Sequence, residues 1–183
     1  MAARDGGARG MIRLCFHGAE STGKSTLAAK LSAELGVPWV PEYGREWAET
    51  KGTDFTLDDL LAIAAGQDAA MHAAMRTAAP ASPPVLLLDT DPLMTAAWAA
   101  MLYGHVPGEL LRYDKAERYL LFDVDTAWVE DGTRFFGNAA ERALFEALAE
   151  EMLIRAGVVY ERIGGSWDER EAAVRGIIAP LLP

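Results

Sequence analysis

Residues 18–25 read Gly18-Ala19-Glu20-Ser21-Thr22-Gly23-Lys24-Ser25, a complete G-x-x-x-x-G-K-S pattern. A mostly apolar run, Met11 to His17, precedes it, and Lys24 to Leu35 follows with Leu27, Ala28, Leu31 and Leu35 on one helical stripe. Strand, glycine loop and helix in that order constrain the chain more than any other feature. The glycines let the backbone curl so that successive N–H groups point at phosphate oxygens. The helix start adds the positive end of its dipole. The residues expected on the nucleotide are Gly18, Glu20, Ser21, Thr22, Gly23, Lys24, Ser25 and Thr26. Lys24 is expected to reach the β- and γ-phosphates of ATP, and Ser25 to hold Mg²⁺.

The rest of the pattern alternates strands and helices. Val37–Pro41 is a short extended piece, Glu42–Thr50 a loop or short helix, and Leu57–Ala78 a long helix capped by Thr56. Val85–Leu88 reads as a buried strand, Pro92–Tyr103 as a helix and Leu120–Val124 as a strand. Ala139–Ala156 is helical, Val158–Ile163 a last strand, and Trp167–Leu182 a closing helix. The expected fold class is α/β, a P-loop NTPase three-layer sandwich. It has a parallel sheet of about five strands, helices on both faces and a small lid. Residues 1–10 are expected to be a disordered tail, and 11–183 one domain.

Composition excludes several classes. With 27 acidic and 17 basic residues the net charge is −10, so no general attraction to nucleic acid or anionic membrane is expected. No apolar run approaches a membrane span. Cys15, the sole cysteine, has no internal disulfide partner and reads as a buried small hydrophobe, in keeping with a cytoplasmic protein. The scattered His17, His72 and His105 suggest no metal site. The sequence leaves a homo-oligomer open.

Three further segments carry polar chemistry. Asp89 ends an aliphatic strand, where open α/β sheets place functional groups, and is expected on the magnesium. Asp91 is either a second functional acid or the cap of the helix that opens with Pro92. In Pro41-Glu42-Tyr43-Gly44-Arg45-Glu46-Trp47, Glu42 can accept the proton of an attacking hydroxyl. Tyr43 and Trp47 can stack on a flat ring, and Arg45 can neutralise phosphate. In Asp131–Asn138, two glycines bracket Arg134 and two aromatics. That suits a lid whose arginine stabilises the transferring phosphoryl, with Arg142 as a second candidate.

Five stretches together resemble a known family. They are GAESTGKSTLA (Gly18–Ala28), PEYGREW (Pro41–Trp47), LLLDTDPLMTAAWAAMLYG (Leu86–Gly104), YLLFDVDTAWVEDGTRFFGN (Tyr119–Asn138) and YERIGGSWDER (Tyr160–Arg170). The family is the nicotinamide ribonucleoside kinase domain of the NadR type, usually fused behind an adenylyltransferase domain. The resemblance implies transfer of the ATP γ-phosphoryl to the 5′-hydroxyl of nicotinamide riboside, giving nicotinamide mononucleotide. By the same resemblance, Gly23, Lys24, Ser25 and Thr26 bind nucleotide and metal. Lys24, Glu42, Asp91 and Arg134 form the catalytic set, with Glu42 or Asp91 contacting the ribose or taking its proton. Tyr43, Trp47 and Trp128 become candidates for holding the cationic ring. Only residues 1–10 precede the first strand, so the expectation is a kinase without the adenylyltransferase. Kinase action on another nucleoside or nucleotide, or a regulatory ATPase module, are the alternatives.

Overall fold

The computed structural model describes residues 10–78, 83–127 and 135–182. The proposed tail residues 1–9, Trp128, and Asp131–Arg134 of the expected lid lie outside the described residues.

Five strands form one parallel sheet: β1 (Ile12–His17), β2 (Trp39–Val40), β3 (Val85–Asp89), β4 (Arg118–Phe122) and β5 (Tyr160–Ile163), in the order β2-β3-β1-β4-β5. The central strands are aliphatic because both of their faces are covered. Leu14 and Phe16 of β1, Val85 and Leu87 of β3, and Leu120 and Phe122 of β4 pack on one side. There they meet Leu27, Ala28 and Leu31 of α1 (Lys24–Leu35) and Val174 and Ile178 of α6 (Trp167–Ile178). Cys15, Leu86, Leu88, Tyr119 and Leu121 face the other way. They pack on α3 (Leu57–Thr77), α4 (Pro92–Tyr103) and α5 (Ala139–Ala156). The three-layer arrangement follows from this period-two alternation.

Several boundaries moved. The expected strand Leu120–Val124 begins at Arg118, because Leu14 of β1 pairs with Arg118 and carries the ladder back. The last strand is shorter than Val158–Ile163 and is paired from Tyr160. Glu42–Thr50 resolves as α2 (Tyr43–Lys51), ended at Gly52. The closing helix stops at Ile178 and tightens into a 3₁₀ turn at Ala179–Leu181, where Pro180 cannot continue the α ladder. Thr56 caps α3 reciprocally with Asp59, as its sequence suggests.

Chain order reverses at β1, whose neighbours are β3 and β4. The crevice outside the carboxyl end of a strand at such a switch point is where open α/β sheets bind ligands. Residues 18–25 leave β1 at that point.

Candidate functional site

The loop after β1 has the backbone and charge that suit an anion. Helix α1 has Gly23 as its N-cap, with no side-chain capping bond and no acidic residue in its first turn, which leaves its leading N–H groups to an anion. Gly23 sits at φ 85°, in the left-handed region, and a Cβ there would run into the Trp167 indole. No other residue type satisfies both constraints. Ser21 is also left-handed, at φ 58°. Lys24 is buried and folded back on its own loop, donating from Nζ to the Ala19 carbonyl at 2.6 Å and to Thr22 Oγ1 at 3.3 Å. Burial pulls its ammonium pKa down, opposed by the charges of Glu42, Asp89 and Glu20. A cradle with a desolvated cation at its centre favours a polyanion.

At the end of β3, against the effect of burial, the Ser25 hydroxyl and the Glu42 backbone N–H pull down the pKa of the Asp89 carboxyl. Its Oδ1 is buried without a hydrogen-bond partner among the described residues. A carboxylate with an idle oxygen beside a hydroxyl is the hard-oxygen set that Mg²⁺ accepts, so these residues fit the expected metal.

Two clefts meet at this edge of the sheet. One runs along residues 18 and 20–26. The other is lined by Ala48, Phe55, Leu60, Ile63, Gln67, Thr90, Thr95 and Phe135, among others. Glu20, Glu42, Arg45, Met94 and Trp98 border both. Glu42 is the N-cap residue of α2, yet its carboxylate makes no capping bond. Burial raises its pKa, and the Asp89 charge raises it further, while Lys24 and Arg45 pull it down. Burial likewise pushes Asp89 up. Thr90 holds φ 70°, unusual for a β-branched residue. Gln67 braces this corner, taking the Tyr43 N–H on Oε1 at 2.7 Å and donating to the Pro41 carbonyl at 3.3 Å and the Thr90 carbonyl at 3.4 Å.

Three residues expected at the acceptor lie outside the linings of both clefts. Asp91 lines neither cleft. It takes the Leu93 N–H at 3.0 Å and the Tyr119 hydroxyl at 2.5 Å, and burial lifts its carboxyl to about 6. Its position ahead of Pro92 commits it to capping α4 inside the core. Tyr43 turns its ring onto Gly66 of α3 and lines neither cleft. Trp47 packs on the core and carries the Lys51 ammonium 3.7 Å from its ring centroid, so it lines neither cleft. The aromatic walls are instead Phe55, Trp98 and Phe135. Phe135 lies 5.2 Å from Trp98 and 5.6 Å from Phe55 between ring centroids. Trp98 has a visible signal, since with Met94 and Thr95 it makes one face of the helix that follows Asp91. Phe55 has none, because nothing local brings residue 55 to residue 98. Arg142 is buried and donates to the Thr126 carbonyl at 2.8 Å.

Comparison with known proteins follows the same lines. A family described as an AAA domain (AAA_28) matches residues 13–170. The chain belongs to this family. Among curated proteins it is 29% identical, over 153 residues, to the trifunctional NAD biosynthesis/regulator protein NadR of Escherichia coli (strain K12). That match covers 80% of this chain and 36% of the relative, so the chain spans about a third of the relative's length. This family member also resembles a NadR protein crystallised in complex with NR, with a TM-score of 0.73 and 19% identity. That match covers 94% of this chain and 52% of the other. A thymidylate kinase from Ehrlichia chaffeensis matches with a TM-score of 0.67 and 13% identity, over 92% and 99% of the two chains. The fold is that of P-loop nucleoside and nucleotide kinases. No helix among the described residues is long and apolar enough to cross a membrane.

Proposed function

We propose that this chain is an ATP- and Mg²⁺-dependent kinase that phosphorylates the 5′-hydroxyl of nicotinamide riboside, giving nicotinamide mononucleotide. The observation that carries this reading is the junction of the two clefts. Glu42 and Arg45 stand between a phosphate-binding loop and a pocket walled by Phe55, Trp98 and Phe135. Similarity to NadR proteins, one of them crystallised with NR, supports the choice of acceptor.

The loop amides and Lys24 hold the polyphosphate, Lys24 exchanging its bond to the Ala19 carbonyl for one to phosphate. Ser25 and Asp89 would hold Mg²⁺, and that ion would supply charge neutralisation for the phosphoryl group. Glu42 takes the proton of the 5′-hydroxyl as that oxygen bonds to the γ-phosphorus, and the bond to the β-phosphate oxygen breaks to leave ADP. Its raised pKa brings its basicity toward the working pH, which favours proton acceptance. Arg45 faces the same gap and offsets the developing negative charge. A pyridinium ring suits aromatic walls with the carboxylates of Glu20 and Glu42 at the rim.

The test is an acceptor panel. The full chain with ATP and Mg²⁺ receives nicotinamide riboside and a set of neutral nucleosides, with ADP release and product mass followed. Nicotinamide riboside is expected to give the highest kcat/KM. Preference for a neutral nucleoside by tenfold or more would replace this acceptor. In the same assay Glu42→Gln should lower kcat by roughly 10²-fold or more with little change in ATP KM.

A further inference from the structure

We propose that Glu20, inside the phosphate-binding loop, is a positioning residue for the acceptor pocket. The inference rests on the reading that this pocket holds the acceptor. One oxygen of Glu20, Oε1, accepts the backbone N–H groups of both Phe135 and Phe136, each at 2.7 Å. These are charge-assisted bonds between residues 115 and 116 positions apart. The rings they fix surround the pocket tryptophan. Phe135 lies 5.2 Å from Trp98, and Phe136 lies 5.5 Å from Trp98 and 5.3 Å from the fully buried Phe145.

The next loop residue is tied to the same side of the molecule. The Thr126 hydroxyl donates to the Ser21 carbonyl at 2.9 Å, and Arg142 Nη1 to the Thr126 carbonyl at 2.8 Å. Two consecutive residues of the phosphate loop are therefore joined to the segments that carry Phe135 and Thr126. The loop's backbone faces the polyphosphate, while the Glu20 side chain holds the wall against which an acceptor ring would rest. Seating one ligand fixes the joint the other needs, so each should tighten the other reciprocally. This gives the third position of the motif a task that a bare phosphate loop does not require. An amide oxygen can accept the same two N–H groups, so the task depends on the acceptor atom more than on the charge.

Four variants of the full chain separate the cases: Glu20→Ala, Glu20→Gln, Phe135→Ala and the double Glu20→Ala/Phe135→Ala. Glu20→Ala is expected to raise acceptor KM about tenfold with a smaller effect on kcat, and Glu20→Gln to restore most of it. Added to Phe135→Ala, Glu20→Ala should do little more, because its effect passes through that residue. Hydrogen exchange at the Phe135 and Phe136 amides gives a substrate-free readout. Exchange should be slow in the wild type and Glu20→Gln, and fast in Glu20→Ala. A Glu20→Gln variant as impaired as Glu20→Ala, with the loss undiminished in the Phe135→Ala background, would mean that the charge acts on ligand directly and would overturn the proposal. Unchanged amide exchange in Glu20→Ala would overturn it as well. Should the wild type phosphorylate no nucleoside, the functional reading fails and the exchange measurement still decides whether Glu20 holds this wall.

Discussion

Arg170 ties the closing helix to the phosphate-binding loop, and removing its guanidinium should loosen both. Its side chain is fully buried. Nε donates to the Gly165 carbonyl at 2.9 Å, Nη1 to the carbonyls of Thr22 and Ile163 at 3.3 Å, and Nη2 to the Asp123 carbonyl at 3.1 Å and to the Asp125 carboxylate. Arg170→Met keeps an unbranched apolar stem and deletes every donor. The Ile163 carbonyl retains the Asp123 N–H, which leaves those of Gly165, Thr22 and Asp123 short of a donor. At about 1 kcal/mol each this is about 3 kcal/mol. The Asp125 pair adds a few tenths at most, because that carboxylate is 43% exposed and screened. For a chain of 183 residues, about 3 kcal/mol corresponds to a fall in Tm of roughly 6–12 °C. Urea unfolding followed by circular dichroism measures the free energy, and calorimetry the Tm. Because Thr22 loses its tether, ATP KM should rise as well. A loss below about 1 kcal/mol would refute the premise that these bonds are unsatisfied once the guanidinium is gone.

Four other substitutions probe the site and the packing around it. Lys24→Ala should lower phosphoryl transfer by roughly 10³-fold without unfolding the chain, and turnover within tenfold of wild type would sink the assignment of residues 18–25. Trp98→Ala should raise acceptor KM about tenfold, on the scale of one aromatic contact, whereas Trp47→Ala should leave it unchanged. The reverse ranking would restore the ring-stacking role first expected of Trp47. Gly66→Ala, ordinarily a helix-stabilising change, should destabilise the fold by about 1 kcal/mol. The new methyl would enter the space of the Tyr43 ring and push α2 outward. A thermal melt showing higher Tm would refute that packing.

The local elements were legible because each has a local cause. Gly36, Gly104 and Gly157 end helices in the left-handed conformation that a glycine adopts freely. Thr56 and Ser166 begin them with capping boxes. The aliphatic runs of β1, β3 and β4 report burial on both faces. The shape of the loop at residues 18–25 was legible for a related reason, since glycine spacing encodes its backbone geometry directly. Asp91 shows where such reading divides. The same residue type serves as a helix cap or a ligand contact, and only the position of Tyr119, brought alongside by β4, assigned it to the core.

By itself, then, the sequence determined that a glycine-rich loop follows the first strand of a parallel α/β sheet, with Asp89 at the end of a neighbouring strand. Tertiary structure decided which aromatic residues wall the second cleft. Tyr43 and Trp47 lie next to Glu42 in the chain but turn to Gly66 and Lys51. Phe55, Trp98 and Phe135 come from three separate segments and meet only when those segments pack. A side chain's direction around a helix is fixed by what the helix packs against, and that information resides in contacts distant along the chain.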